Sequence, residues 1–217
     1  MPSVGDLLSI IEPSALLLAV VVGYVMGALP LADRISRRRG VDIFRSGTGL
    51  AGSSNVRKSV GKIPAAIVFI GDMAKGILVI VVARALGIEG VWTVVPAAAA
   101  VIGHWNSVFT RFKGGDGLAT LGGVTLAMFP LYGSLGVVFA GLVALGGQRM
   151  PYTSLFSVIS GYAVIVALSV LNDSDVRLPF AYGALATIVF AHAILGHALR
   201  RRTTMAADLA SAERFAE

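Results

Sequence analysis

Long apolar runs separated by short polar segments dominate this chain. A helix needs about 20 apolar residues to cross the hydrocarbon core of a bilayer, and it satisfies its own backbone polar groups there. The runs therefore predict an all-α polytopic membrane protein with about seven transmembrane helices. Because the first run lacks a basic leader and an Ala-x-Ala site, we expect it to be a retained helix. The predicted spans are 8–31, 63–86, 91–109, 118–131, 133–146, 154–171 and 178–199.

The fourth and fifth runs are short, and they alternatively form one broken span. The positions of Lys and Arg favour seven crossings, because fifteen of the 18 basic residues then share one side of the membrane. Basic residues are retained on the cytoplasmic side, which predicts an outside N-terminus and a cytoplasmic C-terminus. We expect one membrane domain over 1–217 in a bacterial inner membrane, with a cytoplasmic tail at 200–217 and the polar loops facing the cytoplasm.

The composition agrees with a lipid environment and limits the kinds of catalytic or binding site that the protein can contain. The chain is 56% hydrophobic and 14% charged, with a mean hydropathy of +0.81, whereas soluble proteins carry about 25% charged residues. The absence of cysteine excludes a thiol nucleophile, and three histidines give no credible metal cluster. The net charge of +6 follows from membrane topology rather than from a nucleic-acid surface. We expect no cofactor, no metal and no nucleic-acid partner.

The first cytoplasmic loop, 42–61, combines glycines with Ser, Thr and Asn side chains. Backbone N–H groups and hydroxyls of such a loop can converge on an anion, and Arg45, Arg57 and Lys58 supply positive charge. The spacing fits neither a nucleotide P-loop nor a Rossmann fingerprint. The loop is therefore either a phosphate site or a Gly/Ser-rich connector that carries positive-inside charge.

Two further segments carry candidate binding residues. The loop 111–117 places Lys113 and Arg111 among glycines ahead of a predicted helix, where an anion is favoured. Ser154 and Ser157 lie one helical turn apart at the start of the sixth span, although single serines in transmembrane helices usually serve in packing.

Charged and imidazole groups inside the spans favour structural roles. Asp72 and Lys75 share one helical face, and charges at that depth are costly unless they pair or face a polar cavity. We expect them to form an intrahelical pair or to anchor the first loop. We also expect His104 to be a structural group, and His192 and His197 to contribute little.

In this order, the segments resemble the PlsY family of acyl-phosphate-dependent glycerol-3-phosphate acyltransferases, and the likeness covers almost the whole chain. The stretch 47–61 is similar to the family's Gly-Ser-Gly-Asn-x-Gly-Ala-Thr-Asn-x-x-Arg followed by Thr-x-Gly. Asp72, Lys75 and Gly76 match its Asp-x-x-Lys-Gly, 112–120 its Phe-Lys-Gly-Gly-Lys-Gly-Val-Ala-Thr, and 154–157 its Ser-Leu-x-Ser.

The resemblance implies seven spans and acyl transfer from acyl phosphate to the 1-hydroxyl of glycerol 3-phosphate, or to a related phosphorylated acceptor. It implies no metal and no acyl-enzyme intermediate. The partners expected are the lipid bilayer and these two substrates. The substrate-binding positions that it implies, together with the basic and loop residues above, are Arg45, Thr48, Ser54, Asn55, Lys58, Lys113, Ser154 and Ser157.

The most serious departures from the family pattern lie at four positions. Asp116 replaces a lysine, Leu50 replaces an asparagine, and in an ungapped match Arg201 and Thr204 replace the family's C-terminal histidine and asparagine. The catalytic residues are therefore unassigned. The departures leave open a second hypothesis, a non-catalytic membrane subunit that binds a lipid phosphate or a partner enzyme. We expect a small transporter to fit less well, because the polar residues cluster in loops rather than at mid-bilayer.

Overall fold

The computed structural model describes the backbone of residues 12–146 and 153–216, and side chains between 12 and 146 (except 144) and 155–196. Within these ranges the fold is all-helical. The α-helices are α1 (Pro13–Ala28), α2 (Leu31–Arg37), α3 (Ser53–Ser59), α4 (Lys62–Ala85), α5 (Val94–Trp105), α6 (Leu118–Met128), α7 (Pro130–Gly146), α8 (Thr153–Leu171) and α9 (Arg177–Ala216). Short 3-10 helices occupy Ile43–Arg45, Gly90–Thr93 and Val108–Thr110.

Each apolar run of the sequence overlaps one of the longer helices, and prolines lie at several of the boundaries. Pro13 begins α1, where its missing N–H costs nothing. The chain leaves helical geometry at Leu29 and Pro30 before α2, so the first run is interrupted near its C-terminal end. Phe129 separates α6 from α7 ahead of Pro130. The fourth and fifth runs are therefore two helices with a sharp break between them.

Glycines allow the helices to cross closely, as in many membrane proteins. A Cβ at Gly27 of α1 would clash with the backbone of Ala100 in α5, and one at Gly76 of α4 would clash with Thr120 in α6. A Cβ at Gly136 of α7 would lie 2.6 Å from the carbonyl oxygen of Gly161 in α8. At these three crossings the helix backbones lie too close together for a larger residue.

In the part of the chain that the structure describes, three helical segments are long and apolar enough to cross a bilayer: Pro13–Arg37, Lys62–Ala85 and Arg177–Gly196. Other apolar helices are shorter, at Leu118–Met128, Pro130–Val143 and Leu155–Leu171. Large apolar side chains such as Ile63, Ile70 and Leu171 point away from the bundle, as expected for a surface in contact with lipid.

Candidate functional site

Asn55 organises the first loop. This side chain is buried at the start of α3, and its amide nitrogen donates to the carbonyl oxygens of Ile43, Ser46 and Leu50 at 3.2, 2.9 and 2.9 Å. Its amide oxygen accepts from the backbone N–H of Thr48 at 3.2 Å. These bonds hold the backbone of residues 43–50 around the Asn55 side chain. Asn55 therefore stabilises the conformation of the first loop.

The two glycine-rich loops lie against each other. The backbone N–H of Ala51 donates to the carbonyl oxygen of Gly114 at 3.0 Å, and the N–H of Gly115 donates to that of His104 at 3.2 Å. A Cβ at Gly115 would clash with the imidazole of His104, and one at Gly114 would clash with the His104 carbonyl oxygen. Glycine is needed at both positions because the backbones approach so closely.

Thr48 and Lys113 line one cavity of about 490 Å³, which we call the loop cavity. Lys113 places its ammonium 5.9 Å from the centre of the Phe44 ring. On another side, the rings of Trp105 and His192 stack with centroids 4.0 Å apart. The remaining lining residues are Gly49, Leu50, Asn106, Phe112, Gly114 and Gly115. The cavity therefore combines one cation, several backbone groups and aromatic walls, a combination suited to an anionic ligand.

A second cavity, of about 280 Å³, lies on the other side of the loop contact, and we call it the serine cavity. Ser53, Ser54, His104 and two carboxylates, Asp72 and Asp116, line it together with Gly52 and with other residues of α4, α6 and α7, most of them apolar. One carboxylate oxygen of Asp116 accepts from the N–H of Leu118 at 3.2 Å. Negative charge is favourable at this helix N-terminus, so Asp116 is held in place by α6 while it faces the cavity.

A third cavity, of about 310 Å³, lies between α6, α7, α8 and α9, and we call it the helix cavity. Its walls are mainly apolar and aromatic. Ser157 lies here, with its hydroxyl donating to the carbonyl oxygen of Ala140 at 2.6 Å. Apolar walls of this kind suit a hydrocarbon group rather than a phosphate.

A buried ion pair lies next to the two glycine-rich loops. Lys75 Nζ and Asp72 Oδ1 are 2.7 Å apart in α4, and both side chains are at most 5% exposed. Lys75 also donates to the carbonyl oxygen of Leu29, where α1 ends. His104 Nδ1 lies 3.9 Å from Asp72 Oδ1 and 3.4 Å from the hydroxyl of Thr120. This network connects α1, α4, α5 and α6, and it is adjacent to the loop contact through His104.

The structure thus brings some of the predicted site residues together and separates others. Thr48 and Lys113 share the loop cavity, and Ser54 lines the adjacent serine cavity. Arg45 is 88% exposed and lies 3.7 Å from Asp42, and Lys58 is also exposed; neither lines the three cavities. The side chains of Ser154, Arg201 and Thr204 lie outside the described residues.

Two cavity residues carry little signal in the sequence. His192 contacts the loop cavity from α9, and Trp105 contacts it from the end of α5. Their stacking depends on the packing of two helices that are distant along the chain, which helical periodicity does not reveal. Among the described residues, no group of three His, Asp or Glu side chains is arranged to hold a metal ion.

The chain is similar in sequence to a family of known proteins. Residues 17–204 match the family described as glycerol-3-phosphate acyltransferase. A glycerol-3-phosphate acyltransferase from Rubrobacter xylanophilus is 37% identical, over 68% of this chain and 85% of the relative. One from Roseiflexus sp. is 35% identical, over 85% of this chain and 91% of the relative.

Solved structures agree. The crystal structure of PlsY, an integral membrane glycerol 3-phosphate acyltransferase, in its glycerol 3-phosphate form superposes with a TM-score of 0.68. That comparison covers 89% of this chain and 93% of PlsY, at 27% identity. The lysophosphatidic acid form gives a TM-score of 0.66 at 28% identity. The all-helical fold, the paired glycine-rich loops and these relatives together show that the chain belongs to the PlsY family of glycerol-3-phosphate acyltransferases.

Proposed function

We propose that this protein transfers an acyl group from acyl phosphate to glycerol 3-phosphate in phospholipid synthesis. The observation that carries the proposal is the hydrogen bond between Ala51 and Gly114, which joins the two glycine-rich loops around a cavity containing Lys113. The enzyme has to hold two phosphate-bearing substrates close together and to align a hydroxyl with a carbonyl carbon. The loop cavity contains Lys113, the serine cavity contains two serines, and the serine cavity adjoins the apolar helix cavity, which matches that requirement.

Each cavity has a distinct role in this proposal. The ammonium of Lys113 and the backbone N–H groups near Thr48 bind a phosphate in the loop cavity. Ser54 contacts the second substrate in the serine cavity, and Asn55 keeps the loop in its binding shape. The exposed Arg45 and Lys58 attract anionic substrates to the site through long-range charge.

The reaction needs no resident cofactor in this scheme. The acceptor hydroxyl oxygen attacks the acyl carbonyl carbon, a new ester C–O bond forms, and the bond from that carbon to the phosphate oxygen breaks. The leaving phosphate carries the electron pair away and takes up the hydroxyl proton, so that it ends as hydrogen phosphate. Lys113 and the loop N–H groups stabilise the negative charge, since preorganised donors are most effective in a site shielded from water.

We also propose how the chain lies in the membrane. The seven longer helices cross the bacterial inner membrane as one domain over 1–217, with the N-terminus outside and the tail 200–217 in the cytoplasm. The concentration of Lys and Arg in 32–62 and 111–116 supports this orientation. It exposes the loop cavity to glycerol 3-phosphate from the cytoplasm and gives acyl chains access from the lipid.

One observation favours a second candidate function. Asp116 faces the serine cavity, where its carboxylate repels a phosphate, and Leu50 rather than a polar side chain lines the loop cavity. A family member with these residues is alternatively a non-catalytic subunit that binds a lipid phosphate or a partner membrane enzyme. The two functions differ in whether the purified protein forms product.

The test uses purified protein in lipid nanodiscs with palmitoyl phosphate and labelled glycerol 3-phosphate. We expect labelled lysophosphatidic acid and an equal amount of inorganic phosphate. Palmitoyl-coenzyme A in place of palmitoyl phosphate is the donor control and should give no product. Phosphate release without labelled lipid would contradict acyl transfer. A complete lack of product with saturable binding of either substrate would favour the non-catalytic alternative.

A further inference from the structure

The serine cavity and the helix cavity meet at one point on α6. Leu118 and Gly122 of α6 and Val137 of α7 line both cavities. We propose that Gly122 is a specificity-determining residue, because its missing side chain lets the acyl chain of the donor pass from the serine cavity into the helix cavity. This inference rests on the proposed acyl transfer and goes further by assigning one residue to chain length.

Gly122 has no packing reason to be glycine. Glycine is a poor helix former, so a glycine near the middle of an 11-residue helix calls for an explanation. A Cβ on the neighbouring Gly123 would clash with the carbonyl oxygen of Met73, which explains that position by close helix contact. A Cβ on Gly122 would meet no atom within 4 Å. The space in front of Gly122 is open, and it lies where the two cavities join.

The helix cavity is suited to a hydrocarbon chain because its polar atoms bond within the protein. The hydroxyl of Tyr162 donates to the carbonyl oxygen of Pro179 at 3.1 Å, and the hydroxyls of Thr125 and Tyr182 bond to each other at 2.5 Å. The hydroxyl of Ser157 is bonded to Ala140. The walls therefore offer mainly carbon atoms to a ligand, and a buried polar ligand would leave its own groups unpaired.

The path has a closed end and an open side. Leu118 and Thr125 are separated by two turns of α6, a rise of about 10 Å along the helix axis. Tyr162 and Tyr182 line the cavity near that far end, and Tyr182 is only 6% exposed. At the junction, Leu118 is 37% and Val137 40% exposed on the lipid-facing surface of the bundle. An acyl chain can thus enter from the membrane, bend past Gly122 and stop at the two tyrosines.

The turnover test compares Gly122→Leu with the wild type in nanodiscs. Gly141→Leu is the matched control, since a Cβ at Gly141 of α7 also meets nothing within 4 Å and Gly141 lines neither cavity. We expect Gly122→Leu to lower the ratio of kcat/KM for palmitoyl phosphate over octanoyl phosphate by about tenfold or more, since pocket contacts with a few methylenes are worth that much. Gly141→Leu should keep the wild-type ratio. An unchanged ratio in Gly122→Leu would overturn the inference.

A labelling test decides the same point without turnover. Palmitoyl phosphonate with a diazirine at the end of its chain cannot transfer its acyl group, and light crosslinks the chain end to its neighbours. We expect adducts at Tyr162, Ile165 or Tyr182 in the wild type and in Gly141→Leu, and at least a tenfold loss of them in Gly122→Leu. Adducts elsewhere in the wild type would overturn the inference even if acyl transfer is observed.

The two tests also separate the inference from the proposed function. A wild-type protein that makes no product yet labels at these residues supports the acyl path and contradicts the proposed reaction. Should Gly122→Leu melt below the wild type, the smaller Gly122→Ala replaces it, and the same measurements are expected to shift in the same direction. Equal labelling in Gly122→Ala and the wild type would then count against the path.

Discussion

The indole ring of Trp105 and the imidazole ring of His192 stack 4.0 Å apart at an interplanar angle of 18°. Trp105 is also held by its ring N–H, which donates to the carbonyl oxygen of Asp116 at 2.9 Å. The stack therefore connects α9 to the loop that contains Lys113, and it forms a wall of the loop cavity. Through this contact the last helix of the chain takes part in shaping the anion site.

This contact changes what we expect of His192. From the sequence alone, His192→Ala should have little effect. With the ring as a cavity wall, His192→Ala is expected to raise the KM for glycerol 3-phosphate by about two- to tenfold, the usual value of an aromatic contact. Steady-state rates with varied acceptor measure this, and His192→Phe, which keeps a ring on Trp105, should stay close to the wild type. A KM for His192→Ala equal to that of the wild type would restore the sequence-based expectation.

How much of the site the sequence predicts depends on the kind of residue. The spacing of Asp72 and Lys75 predicts a shared helical face, and the two side chains form the expected pair. The glycines around Thr48 and Lys113 predict loops that approach an anion, and those loops do lie together. Helical periodicity and glycine patterns are local properties, so the sequence carries them directly.

Side-chain direction and helix pairing are not local properties. The loop folds around Asn55, which turns Arg45 outward toward Asp42, and no residue spacing shows that direction. Ser157 is a predicted phosphate contact, but its position depends on how α7 crosses α8, and its hydroxyl bonds to α7 in an apolar cavity. The role of Ser157 in phosphate binding therefore stays a prediction with no supporting contact.

Lys113 and Lys58 differ in their expected contribution to turnover. The sequence predicts both lysines to be phosphate-binding residues, whereas only Lys113 lines the loop cavity and Lys58 is exposed. We expect Lys113→Ala to reduce kcat/KM about a hundredfold, as for loss of a charged donor to a developing charge. Lys58→Ala should lose less than about threefold, because exposed charges contribute little. Initial rates with labelled glycerol 3-phosphate at several salt concentrations separate the two, and equal losses would contradict the cavity assignment.

The Asp72 and Lys75 pair is expected to matter for stability. Asp72→Ala leaves the buried ammonium of Lys75 without its partner, and breaking such a pair costs about 3–5 kcal/mol. The melting temperature in detergent should fall clearly, and the double variant Asp72→Ala/Lys75→Met should recover much of the loss. Arg37→Ala, which breaks a pair whose arginine is exposed, is the control and should leave the melting temperature unchanged. If the double variant is no more stable than Asp72→Ala, the unpaired charge is not the cause.

Asp116 has two opposing effects, and substitutions can separate them. Its carboxylate accepts the N–H of Leu118 at the start of α6, and the same group places a negative charge beside Ser54 in the serine cavity. Asp116→Asn keeps an oxygen for Leu118 and removes the charge. We therefore expect it to lower the KM for palmitoyl phosphate, the substrate of the serine cavity, about tenfold, the effect of removing one repulsion of roughly 1.4 kcal/mol.

Asp116→Lys goes further by adding an attractive charge, but it removes the acceptor for the Leu118 N–H and places a positive charge at a helix N-terminus. It should bind the donor more tightly than the wild type and melt at a lower temperature than Asp116→Asn. Donor titrations and thermal melts of the three proteins measure both effects. If Asp116→Asn binds the donor more weakly than the wild type, the carboxylate makes a favourable contact with the substrate instead of repelling its phosphate, and this departure from the family pattern is a change of specificity.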